Sequence, residues 1–173
     1  LRNVFVALPG DLPPIIVVQH MTAQFIPSFA ARLNTISAVE VSVATHDAIL
    51  QRGHAYIASN LAHLEIKGTH PGPYRAILSD AAPVSGHRAS VDVMFQSVSK
   101  HAGKHAMGVI LSGMGDDGAD GLKSLFDEGG YTLGESKQSC LIYGMPRCAK
   151  ERGGVKFEMT LGEITAEIAA FSR

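Results

Sequence analysis

The period of the hydrophobic positions changes several times along the chain, and each change marks an element. Leu1, Val4, Phe5 and Leu8 recur with helical spacing until Pro9-Gly10 stops them, so the chain opens inside a helix with no capping residue before it. Pro13-Pro14 launches Ile15 to Val18, a continuous apolar run typical of a parallel strand buried on both faces. Pro27 stands at a first helical position, and Phe29, Ala30, Leu33 and Ile36 form one face of a short helix. Val39 to Val43, Ala48 to Leu50 and His54 to Ile57 read as short strands. Leu61 to Lys67 and Tyr74 to Leu78 flank the loop from Gly68 to Pro73, a hairpin expected at the edge of a sheet.

In the second half, a polar loop from Asp80 to Ser90 leads into Val91, Met94, Phe95 and Val98, spaced as one helical face. Ala106 to Leu111 is the next buried strand. It runs into four glycines (113, 115, 118 and 121) and three aspartates (116, 117 and 120), after which helical spacing resumes to about Glu128. A short strand at Tyr131 to Leu133, a helix start near Met145-Pro146 and a last helix from Gly162 to Phe171, burying Ile164, Ile168 and Phe171, complete the pattern.

Apolar strands alternating with helices predict an α/β fold: a doubly wound, mostly parallel sheet with helices on both faces and the antiparallel hairpin at one edge, in a Rossmann-like three-layer arrangement. Right-handed crossovers gather the loops after the strands on one rim. His20, which follows the strand at Ile15 to Val18, and the aspartate loop both belong to that rim. A length of 173 residues suits a single domain with a sizeable core.

Composition narrows the function classes. Lys plus Arg total 15 against 16 Asp plus Glu, net −1, and no basic run is interleaved with aromatics, so a nucleic-acid partner is not expected. No apolar stretch is long enough to cross a bilayer, so membrane insertion is not expected either, and the first residues lack the features of a secretory signal. Cys140 and Cys148 match neither a redox pair nor a zinc knuckle, which predicts reduced thiols in the cytoplasm. Of the eight histidines only His101 and His105 stand four apart, without the glutamate a zincin requires, so no metal and no cofactor are expected.

The loop from Ser112 to Gly121 has two competing readings. Gly113-x-Gly115-x-x-Gly118 matches a dinucleotide fingerprint, with Glu135 standing 17 positions beyond Gly118. Against this, Asp116 and Asp117 occupy the place of the pyrophosphate, and unit charges about 4 Å apart in a partly wet site repel by roughly 1 to 4 kcal/mol. Asp117 can instead cap the helix that follows it. It can also serve a partner brought close by the small residues around it, and His20 is available on the same rim. His20 taken alone is more often a satisfied rim histidine; held by a carboxylate it becomes a general base for a serine. No serine stands in the usual nucleophile elbow. Ser90, Ser112, Ser139 and Cys140 are the nearest candidates, and none fits well.

Five segments, taken together, are specific: Val17-Val18-Gln19-His20-Met21, Gly53-His54-Ala55-Tyr56-Ile57-Ala58, Gly86-His87-Arg88-Ala89-Ser90-Val91-Asp92, Leu111-Ser112-Gly113-Met114-Gly115-Asp116-Asp117-Gly118, and Gly144-Met145-Pro146. In this order they resemble the catalytic domain of the chemotaxis protein-glutamate methylesterases over nearly the whole chain. The resemblance implies a serine hydrolase that cleaves glutamate γ-methyl esters on the cytoplasmic helices of methyl-accepting chemoreceptors, with glutamine deamidation as a second reaction. It implies that His20 is the catalytic histidine and Asp117 the catalytic aspartate, and that the backbone amide of Met114 helps the oxyanion hole. Arg88 and Ser90 fall in a motif near the rim without an assigned role. The family's serine lies in a glycine-rich turn after the first strand, which places the expected nucleophile upstream of Leu1, together with that strand, and no receiver domain is present in the 173 residues. A receptor-binding homologue that lacks the nucleophile is the alternative reading.

Overall fold

The computed structural model describes residues 1–171. Helix α1 (Arg2–Ala7) precedes strand β1 (Ile15–Val17), helix α2 (Ile26–Ile36), and strands β2 (Glu40–Val43) and β3 (His54–Ile57). The hairpin is β4 (His63–Lys67) and β5 (Arg75–Ser79). Then come α3 (Val91–His101), β6 (Met107–Ile110), α4 (Ala119–Asp127), β7 (Tyr131–Glu135), α5 (Met145–Glu151), β8 (Phe157–Met159) and α6 (Leu161–Ala170).

The α/β expectation holds, with two differences in how the strands are grouped. The parallel strands form two triplets, β1-β3-β2 and β6-β7-β8, with helices on both faces. The hairpin is a separate two-stranded antiparallel sheet rather than an edge of either triplet. Main-chain bonds tether it to the segment before β3: Asp47 N–H donates to Ala76 O, Ala76 N–H to Ala48 O and Leu50 N–H to Tyr74 O, each at 2.8 Å. Ala48 to Leu50 is therefore not a strand; it contributes only an isolated bridge between Ile49 and Arg75. Strand β8 has no counterpart in the hydrophobic pattern, because Phe157 and Glu158 are exposed and Met159 only half-buried.

Burial explains the elements that were legible. Phe5, Ile26, Leu33, Val39 and Ile57 pack α1 and α2 against the first triplet. Leu64, Phe95, Ile110, Leu122 and Leu125 join the hairpin, α3, β6 and α4 in a second core. Full burial of side chains of this size contributes about 1.5–3 kcal/mol each. No helix among the described residues is long and apolar enough to cross a membrane.

Candidate active site

Asp117 stands at the N-terminus of α3, although it belongs to the loop before α4. Its Oδ2 accepts the Val91 N–H at 2.8 Å, and its Oδ1 accepts the Ser90 hydroxyl at 2.7 Å and the Asp92 N–H at 3.1 Å. The first amides of a helix have no partner within it and favour negative charge, so this carboxylate satisfies another element's orphan donors. His20 Nε2 completes the shell, 2.8 Å from Oδ2. Asp117 is 2% exposed, and burial alone would raise its pKa. The bonds from His20, Val91, Ser90 and Asp92 outweigh burial and hold it down at about 2, so the carboxylate is ionised at neutral pH.

The alternative reading, that Asp117 caps its own helix, does not hold. Helix α4 is N-capped by Gly118 at φ +94°, a conformation suited to glycine. Its N-terminal amides turn to Asp92 instead, whose Oδ1 accepts the Gly121 N–H at 2.7 Å. Helix α4 thus receives a carboxylate from the first turn of α3, and α3 one from the loop that leads into α4. Asp92 is raised from the ordinary carboxylate range, first by burial and then by the charges of Asp117 and Asp120, against the amide bonds from Gly121 and Gly118.

The dinucleotide reading fails for the same reason: a side chain of the protein already occupies the amides where a pyrophosphate would sit. Asp116 and Asp120 in turn face Arg152 in ion pairs. Glu135, which that reading assigned to a ribose, is buried and fastens two rim loops. Its Oε2 accepts the Ser112 N–H at 2.8 Å and its Oε1 the Ser139 hydroxyl at 3.0 Å.

Two further histidines support the pair. His63, 1% exposed, donates from Nε2 to Ala82 O at 3.0 Å and accepts the Ser90 N–H on Nδ1 at 3.2 Å, which sets the start of α3 under Asp117. His87 stacks on His20 with ring centroids 3.8 Å apart and planes within 12°. A two-residue turn holds it there: Val84 and His87 exchange both main-chain bonds around Ser85 and Gly86, both at positive φ. Neither role was legible in the sequence. In the structure Ser90 N-caps α3, its side chain accepting from the Val93 N–H.

The structure therefore brings His20 and Asp117 together. Met114 lies three positions before Asp117 on the same loop and is 81% exposed. The loop behind it is locked to the segment before α5: Gly113 N–H donates to Ile142 O at 3.1 Å, and Gly144 and Met145 donate to Gly113 O at 3.1 and 2.8 Å. None of the nucleophile candidates is offered to His20. Ser90 Oγ is engaged by Asp117, Ser112 Oγ by the main chain of Ile142, Ser139 Oγ by Glu135, and the Cys140 thiol, pushed up to about 11 chiefly by burial, by Glu135 O.

A family model described as CheB methylesterase matches residues 1–168. A protein-glutamate methylesterase/protein-glutamine glutaminase of Burkholderia pseudomallei is 45% identical over 170 residues, 98% of this chain and 46% of that protein. Homologues of the same name from Geobacter metallireducens and Salmonella typhi are 43% and 41% identical over 95% and 98% of this chain. The chain spans about half the length of these curated relatives. The crystal structure of the Thermotoga maritima CheB methylesterase catalytic domain superposes with a TM-score of 0.90 at 29% identity, covering 97% of this chain and 91% of that one. On the agreement of family match, relatives and fold, the chain belongs to the CheB methylesterase family.

Proposed function

We propose that residues 1–173 belong to a single methylesterase-like catalytic domain which, with a serine from outside these residues, hydrolyses glutamate γ-methyl esters on the cytoplasmic helices of methyl-accepting chemoreceptors, and deamidates receptor glutamine, in the cytoplasm. The observation that carries this reading is the 2.8 Å bond between His20 Nε2 and Asp117 Oδ2, with the carboxylate held ionised by the start of α3. The names of the relatives, which pair methylesterase with glutaminase, point to the same two reactions.

The ring orientation sets the chemistry. Nε2–H donates to Asp117, which leaves Nδ1 as the nitrogen that accepts a proton; in the chymotrypsin arrangement the two nitrogens are used the other way round. A serine hydroxyl transfers its proton to Nδ1 as its oxygen bonds to the ester carbonyl carbon. Asp117 stabilises the resulting imidazolium. Backbone amides of the rim, the Met114 N–H among them, stabilise the oxyanion. Collapse breaks the carbonyl–methoxy bond, and the Nδ1 proton leaves with methoxide as methanol; for a glutamine substrate, ammonia leaves instead. Water, deprotonated by the same nitrogen, then hydrolyses the acyl-enzyme to the free carboxylate.

In this proposal the serine comes from chain outside residues 1–173, at the end of a further parallel strand. Such a strand has a place to pair, because among the described residues β1 bonds only to β3 and β6 only to β7. In the full-length protein, His20→Ala is expected to lower methanol release from methylated receptor by several orders of magnitude without shifting the melting temperature. Near-normal turnover in that variant would sink the assignment.

A further inference from the structure

Asn60 lies where β3 leaves the sheet. The parallel β1–β3 ladder runs to the pair Val17 and Ile57, and Ala58 N–H donates to Val17 O at 2.8 Å. In a parallel ladder the next donor on this side is the main-chain N–H two residues on, at position 60, and the next acceptor is Gln19 O. The main chain does not make that bond, because Asn60 adopts φ +61° and turns away. Its side chain stays behind in the ladder's place: Nδ2 donates to Gln19 O at 2.7 Å and to Met21 O at 2.9 Å.

Those two carbonyls flank His20. Residues 18–22 belong to no helix or strand, so no regular ladder fixes the main chain on either side of the imidazole. The Asn60 amide spends both N–H groups on this one task. Its Oδ1 is buried without a partner, a cost that a residue serving only to turn the chain would avoid. Asparagine meets both needs, because it tolerates positive φ and carries two donors on one nitrogen.

We propose that Asn60 is a positioning residue for His20, supplying with its side chain the missing rungs of the sheet and so holding the imidazole at the height where it meets Asp117 and the incoming hydroxyl. This rests on the reading of His20 as the general base. Asn60→Gly keeps the turn, since glycine prefers positive φ, and removes both donors. Asn60→Asp keeps the size and the turn but sets a carboxylate against two carbonyls.

In the full-length enzyme, Asn60→Gly is expected to lower kcat roughly tenfold to a hundredfold with KM nearly unchanged, the range in which a misplacement of about 1 Å acts. Asn60→Asp is expected to lower it further. In both folded variants the low-field proton resonance of His20 Nε2–H, identified by its loss in His20→Ala, should broaden or shift. Wild-type kcat and an unaltered resonance in Asn60→Gly would overturn the proposal, whereas a low kcat with the unaltered resonance would also refute it by locating the defect elsewhere. Should His20→Ala itself retain turnover, the reading of the base fails and Asn60 falls with it; a dead His20→Ala beside a fully active Asn60→Gly refutes Asn60 alone.

Discussion

At the scale of single residues, the site depends on how one carboxylate is solvated by protein. Asp117→Asn replaces an acceptor-only group with one that presents its own N–H groups to the donors from His20, Ser90, Val91 and Asp92. The variant should lose about 1–3 kcal/mol of stability, read by urea unfolding. It should also lower kcat about ten-thousandfold on the triad precedent. The pH dependence has a definite sign. Asp117 is depressed in the folded protein from 3.8 to about 2, so its contribution is present above the ordinary carboxylate range and is lost as pH falls towards 2. That shift corresponds to about 2 kcal/mol. Wild-type protein should therefore lose more stability than Asp117→Asn between about pH 5 and pH 2, and parallel losses in the two would contradict the assigned shift.

At the scale of elements, α3 and α4 are joined by the exchange of Asp117 and Asp92 across their N-termini. The exchange needs close approach: a Cβ on Gly121 would lie 2.6 Å from Asp92 O and 2.8 Å from Phe95 Cβ. Gly121→Ala is expected to push the helices apart and cost about 1–3 kcal/mol, seen as a lower melting temperature. It should also reduce turnover, because Asp117 reaches α3 from the loop that α4 anchors. Asp92→Ala uncaps α4 and should cost about 1 kcal/mol in the same measurement. The hydrophobic period announced both helices, yet the exchange joins residues 25 or more positions apart in sequence. Spacing along the chain carries no information about such partners.

At the scale of the whole molecule, the loops after the parallel strands β1, β3 and β6 bring in His20, Asn60 and Asp117, and the loop after the antiparallel hairpin adds His87. The same packing closes the amide site that a dinucleotide would need, so NAD at millimolar concentration is expected to leave the melting temperature unchanged; a clear upward shift would revive the fingerprint reading. The run from Ile15 to Val18, the helical spacing of Val91 to Val98 and the glycine-aspartate loop were enough to define the α/β class and to place His20 and Asp117 on one edge. Local periodicity determines that much because it reports which face of an element is buried. Tertiary structure alone decided that Asp117 caps α3 instead of α4, that the hairpin stands apart as its own sheet, that exposed β8 completes the second triplet, that His87 stacks on the imidazole, and that Asn60 binds the carbonyls on either side of His20. Each of these depends on a donor meeting an acceptor or ring meeting ring across long stretches of chain, and such pairings exist only once the core has set the distances.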